Sequence, residues 1–244
     1  MDFDILKLLL GKFGGKSGSA SAEAEDTGSG VSAGGKDSKY LRHYTEAFAQ
    51  NGTFDVDGKT ATVSVHQLGS VHLPSGRLVA CDPATCAGAE PFNINLAPGD
   101  YPVSIAVAEM RGDQRVAYAR VQFADAHPVS WDLALTISED RSKLKRGEHF
   151  GYGVDAGIGC FMSYESALLI QTADSDAISE NIADEMGDTY RHTWSWTNHM
   201  IDREKRLNTV VFSSGWGDGF YPNFVSYDER GALISLVTEF FVLR

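Results

Sequence analysis

The densest run of chemically permissive residues is Gly151-Tyr152-Gly153-Val154-Asp155-Ala156-Gly157-Ile158-Gly159-Cys160. Glycines without a Cβ let a backbone approach a ligand closely or turn through positive φ, and successive N–H groups can then cradle an anion. No strand is legible ahead of the run, so the dinucleotide-binding pattern lacks its context. The alternative is a structural loop against a sheet, with Asp155 accepting backbone hydrogen bonds. A second Gly-rich segment, Gly217-Asp218-Gly219, brings another carboxylate. Where two such loops meet, Asp155 and Asp218 form a pair suited to a divalent cation or to divided acid and base roles. Where they do not, Asp218-Gly219 is an ordinary turn dipeptide.

Other candidates are weaker. Cys160 suits a nucleophile only with a base beside it, and burial as a small apolar residue is the commoner use of a free Cys. Trp194, Trp196 and Trp216, with Tyr101 and Tyr221, are the binding candidates, because large aromatics dominate contact hot spots; core packing is the competing use. His192 and His199 lie seven apart, not at the i, i+4 spacing of helical metal ligands, and read as surface residues. Arg141-Ser142-Lys143-Leu144-Lys145-Arg146 reads as a solvated basic loop. Cys81, Cys86 and Cys160 have neither the number nor the spacing of a disulfide framework or zinc site. No metal and no cofactor is expected.

These residues need a scaffold. The chain has 244 residues, 43% of them hydrophobic, which is enough for a real core. Residues 1–13 predict a short amphipathic helix. Asp2 and Asp4 favour its start, Lys7 and Lys12 its end, and Phe3, Leu6, Leu10 and Phe13 share a face. Alone it is too short to be stable, so it is expected to dock on its own domain or a twin copy, as a hook. Residues 14–37, mostly Gly, Ser and Ala, predict a flexible linker. Residues 38–244 predict a single globular domain.

That domain starts with a helix over 38–50. Alternation then predicts strands at Ala61-Val63-Val65, Val103-Ile105-Val107 and Val116 to Phe123. Pro74-Ser75-Gly76, Pro98-Gly99-Asp100 and Arg111-Gly112-Asp113 are turn signals. Helices are predicted over Tyr164–Thr172 and Ser175–Met186 and a strand over Asn208–Ser213. A closing hairpin, Phe220–Tyr227 with Ala232–Leu243, follows. Gly99-Asp100-Tyr101-Pro102 is echoed by Gly219-Phe220-Tyr221-Pro222. The fold class is α+β: β-rich, mostly antiparallel sheets with a few helices. Two packed half-sheets, about 51–137 and 150–244, are one form of it.

Formal charge is −12. An acidic surface argues against nucleic acid, whose phosphates need a basic one, and suits solubility or attraction of a basic partner. No stretch is long and apolar enough to span a membrane. The acidic start Met1-Asp2-Phe3-Asp4 is unlike a secretion signal, and free thiols suit a reducing compartment. The cytoplasm is the expected location.

Five segments in order carry a family resemblance. They are Leu73-Pro74-Ser75-Gly76-Arg77-Leu78-Val79-Ala80-Cys81-Asp82-Pro83, Pro98-Gly99-Asp100-Tyr101-Pro102-Val103, Arg115-Val116-Ala117-Tyr118-Ala119-Arg120, Gly153 to Phe161, and Gly217 to Pro222. Over about residues 60–244 the chain resembles the bacterial domain-of-unknown-function family 4241. It departs from that pattern at Asn223-Phe224 and at Glu239, where an Asp is usual. The resemblance implies an association with bacterial toxin and immunity neighbourhoods. With no catalytic signature, the expected function is a non-catalytic protein-binding domain, such as an immunity-type inhibitor of a basic toxin. The alternatives are a hydrolase-like enzyme using Asp155, Asp218 and Cys160, and an assembly component that self-associates through residues 1–13.

Overall fold

The computed structural model describes residues 39–49, 52–172 and 175–244. The expected hook and linker lie outside them. Among the described residues, no helix is long and apolar enough to cross a membrane.

The strands are β1 (Thr53–Val56), β2 (Lys59–Leu73), β3 (Leu78–Cys81), β4 (Gly99–Met110), β5 (Asp113–Gln122), β6 (Ser130–Leu133), β7 (Tyr152–Val154), β8 (Ile158–Ser163), β9 (Trp196–Asp202), β10 (Leu207–Ser213), β11 (Gly219–Tyr221), β12 (Asn223–Tyr227) and β13 (Leu233–Glu239). The helices are α1 (Lys39–Glu46), α2 (Tyr164–Thr172) and α3 (Ser175–Asp188). Seven strands form one sheet in the order β1-β2-β4-β5-β13-β12-β6, four form a second, β3-β8-β10-β9, and β11 and β7 form a ribbon. All pairings are antiparallel. The fold is therefore α+β and strand-rich, as the alternating runs indicate.

Gly112-Asp113 reads as a hairpin between two alternating runs, and the hairpin is present with its two-residue loop one position earlier. Met110 pairs with Asp113, and the two residues between them, Arg111 and Gly112, have φ of 55° and 84°. Two positive φ angles are what the tightest hairpin loop needs to match strand twist. In β2 the side chains alternate until the register shifts between Gln67 and Ser70. Ala61 and Val63 are buried before the shift, Leu68 within it, and Val71 and Leu73 after it. A bulge of this kind moves the apolar set from odd to even positions and back without losing the core face.

The central strands are covered on both faces. β4 is buried continuously from Val103 to Ala108, with Ser104, Ala106 and Ala108 between the larger residues. Helix α1 covers one face through Tyr44, whose ring lies 5.4 Å from that of Tyr118 and 4.9 Å from that of Phe224. The Tyr44 hydroxyl donates to Glu239 at 2.6 Å, and Arg244 donates to the same carboxylate at 2.9 and 3.0 Å. Burial and then the Glu239 charge hold the Tyr44 hydroxyl well above its ordinary pKa. Glu239, fully buried, thus ties α1 to β13 and to Arg244.

The two sheets share a core that includes Leu73 and Val107 from one and Phe161 and Phe212 from the other. They do not divide the chain into segments 51–137 and 150–244. β12 and β13 come from the C-terminal part yet complete the larger sheet beside β6 and β5, while β3 joins the smaller sheet beside β8. Each sheet therefore takes strands from both halves of the chain.

Candidate functional site

The Gly-rich run is not a loop. Tyr152–Val154 is β7 and Ile158–Ser163 is β8, with only Asp155–Gly157 as a turn between the ribbon and the four-stranded sheet. Two of its glycines, Gly151 and Gly159, answer to packing, and Gly157 takes a positive φ of 68° in the turn. A Cβ on Gly151 would stand 2.2 Å from the Tyr221 carbonyl oxygen, and one on Gly159 2.4 Å from the Tyr152 hydroxyl. Both distances are below any real contact: backbone excludes a side chain at Gly151, and the Tyr152 phenol occupies its place at Gly159.

Asp82, which sequence reasoning passed over, holds this turn. It is 1% exposed. One carboxylate oxygen accepts the Ala84 N–H at 2.9 Å, and the other accepts those of Asp155 at 2.9 Å and Ala156 at 2.8 Å. Asp155 therefore donates through its backbone rather than accepting through its side chain. Desolvation raises the Asp82 pKa, although the three N–H groups oppose it. The local bond to Ala84 is a two-residue turn of the kind Asp favours, and that part was legible in Asp82-Pro83. The bonds to Asp155 and Ala156 span more than 70 positions and had no local signal.

The two Gly-rich segments meet. Gly219 pairs with Val154, Phe220 with Gly153 and Tyr221 with Tyr152. One step further in that register sets Asp218 opposite Asp155. Tyr152, Val154 and Tyr221 are buried, whereas Gly153, Asp155, Asp218 and Phe220 are exposed, so alternation puts both carboxylates on the outward face with Phe220. Burial and then the Asp155 charge raise the Asp218 pKa. Among the described residues, no group of three His, Cys, Asp or Glu side chains is placed to hold a metal ion.

Phe220 is 50% exposed and Trp216 53%. Gly153, with no side chain, leaves its cross-strand neighbour Phe220 uncovered. The His149 ring stacks on Phe220 at 5.5 Å with a 19° tilt, and burial lowers the His149 pKa. Trp216 rides a tight turn, where Ser214 Oγ donates to the Gly217 carbonyl at 2.8 Å and Gly215 and Gly217 take φ of 67° and 102°. The Arg115 guanidinium lies 5.2 Å from the Trp216 ring centre. Phe220 and the two carboxylates thus share the outward face of the ribbon, and Trp216 is exposed on the turn that leads into β11.

The remaining candidates are placed elsewhere. Trp194 is 3% exposed and donates its indole N–H to Gln114 at 3.1 Å; Trp196 is half-buried. Tyr221 is 3% exposed and donates to the Gly217 carbonyl at 2.8 Å. Tyr101 makes the equivalent bond to Ala97 at 2.6 Å. The sequence echo is therefore a repeated corner, in which a tyrosine at the third position of a strand, Tyr101 in β4 and Tyr221 at the end of β11, ties down the carbonyl four residues earlier. Cys160 is fully buried beside Cys81, with no His or acid among its bonded partners. His199 is also buried, 3.0 Å from Glu185, contrary to its expected surface position. The basic stretch is a solvated loop with one short 3₁₀ turn at Arg141–Lys143.

A family described as "Protein of unknown function (DUF4241)" matches residues 71–238. That span runs from the second half of β2 almost to the end of β13 and contains the whole ribbon. No curated protein and no solved structure matches the chain.

Proposed function

We propose that this chain, which belongs to that family of unknown function, is a protein-binding domain acting in the cytoplasm, and that it contacts its partner through the outward face of the β7–β11 ribbon. The observation that carries the reading is the simultaneous exposure of Trp216 and Phe220 beside Asp155 and Asp218. Exposed aromatics on well-held backbone are the usual anchors of a protein contact. The carboxylates and the net charge of −12 favour a basic partner surface and draw it in at long range. An immunity-type inhibitor of a basic bacterial toxin is the form of this function that best fits those features. Purification of the full chain from producing cells at low salt tests it. A basic protein is expected at near one-to-one stoichiometry, and capture by W216A/F220A should fall about tenfold or more. A wild-type chain that purifies alone overturns the reading.

A hydrolase-like reading is favoured by one observation, the juxtaposition of Asp155 and Asp218, where the second carboxyl keeps its proton more readily than usual. Such a pair can divide acid and base roles. Turnover of a substrate by the wild-type chain that D155N and D218N each abolish would establish it in place of the binding reading.

A further inference from the structure

The molecule's thiols, Cys81, Cys86 and Cys160, are all buried and free, and they converge in one small apolar cluster with Val79, Ile158 and Met162. Cys81 on β3 is the direct cross-strand partner of Cys160 on β8. Their sulfurs stand 3.7 Å apart although the residues are 79 positions apart in sequence. Directly opposed residues of an antiparallel pair have Cα atoms about 4.5–5.5 Å apart, inside the range of roughly 4.4–6.8 Å that a disulfide bridges. Closing the sulfurs to bonding distance needs a movement of only about 2 Å, within reach of side-chain rotation.

We propose that Cys81 and Cys160 form a peroxide-oxidisable dithiol, a modification site that closes as an intramolecular disulfide between β3 and β8. The oxidant is hydrogen peroxide. The Cys160 thiol takes one oxygen, giving a sulfenic acid and releasing the rest of the peroxide as water. The Cys81 sulfur then attacks the Cys160 sulfur. The S–S bond forms as the S–O bond breaks, and the hydroxyl leaves with the Cys81 proton as a second water. Cys86 keeps its thiol. The bridge lies next to Asp82, the residue that holds the Asp155–Ala156 turn, so the oxidised state clamps the base of the ribbon. This assignment stands on the thiol geometry and does not rest on the binding reading.

The test uses the full chain, reduced, freed of reductant and exposed to hydrogen peroxide. Denatured thiol titration should fall from three thiols to one, and intact mass should drop by about 2 Da. Peptide mapping should join Cys81 to Cys160, and the melting temperature should rise by roughly 5–10 °C through closure of the long loop. C86A should still lose the mass and C160S should not. Mapping of the wild-type chain decides the matter even where C160S fails to fold. A Cys81–Cys86 link, oxygen adducts without a disulfide, or three unreacted thiols each overturn the proposal.

Discussion

Asp82 accepts the backbone N–H of Ala156 at 2.8 Å from 74 positions away in the chain. The same carboxylate also accepts from Asp155 and Ala84, so one buried side chain joins the end of β3 to the turn that launches the ribbon. The exposed face above it depends on that bond. A ribbon of two three-residue strands makes too few ladder bonds to fix its own position.

D82N should therefore destabilise the fold by about 2–4 kcal/mol, because an amide offers one acceptor oxygen where two are used and turns a donor toward a donor. Urea unfolding measures it. A midpoint within error of wild type would show that the turn is held by other means.

The two tyrosine corners give a paired prediction. Y101F and Y221F each remove one hydroxyl-to-carbonyl bond, at a cost of about 0.5–1.5 kcal/mol each. Y221F should lie at the upper end because its phenol and the carbonyl it serves are less exposed to water. The double variant should show the sum, since the corners share no partner. Thermal unfolding of the three variants checks both statements, and strong non-additivity would contradict the independence of the corners.

Asp218 predicts a pH effect of definite sign. Its folded pKa lies above the unfolded value, through burial and then through Asp155. The ionised form is thus disfavoured by folding, and the resulting deficit is present above the folded pKa and vanishes as pH falls below the unfolded one. D218N should match or exceed wild type in melting temperature at pH 7, and the gap should close in the acid carboxylate range. A gap that widens on acidification would reverse the assignment.

Much of this was legible in the sequence, for reasons that can be named. Val63 alternates because one face of β2 meets the core; in β4, buried on both faces, the larger Val103, Ile105 and Val107 still alternate with Ser104 and Ala106. Gly112 marks the hairpin, although the two loop residues are Arg111 and Gly112 rather than Gly112 and Asp113. α2 was readable to the residue and α3 nearly so. The pairing of β5 with β13 was not readable, because more than 100 positions separate them and nothing local encodes a long-range partner. The Gly-rich run misled for a related reason. Gly151 and Gly159 make room for Tyr221 and Tyr152, and a sequence shows the missing side chains without what replaces them. Trp194, Trp196 and Trp216 are one residue type in similar company, yet only the tight turn around Gly215 and Gly217 puts Trp216 outside. Asp155 and Asp218 were named as candidates from composition alone, and the register of the ribbon is what brings them together.

Site-specific photo-crosslinking tests the central claim most directly. A benzophenone side chain replaces Trp216 in one version of the full chain and, as a control, Ile137, which is 62% exposed and outside the ribbon, in another. On irradiation in producing cells, the account predicts one dominant covalent adduct with a basic protein from position 216 and none from position 137. Adducts from position 137 alone, or none from position 216 while the chain is folded and abundant, would contradict it.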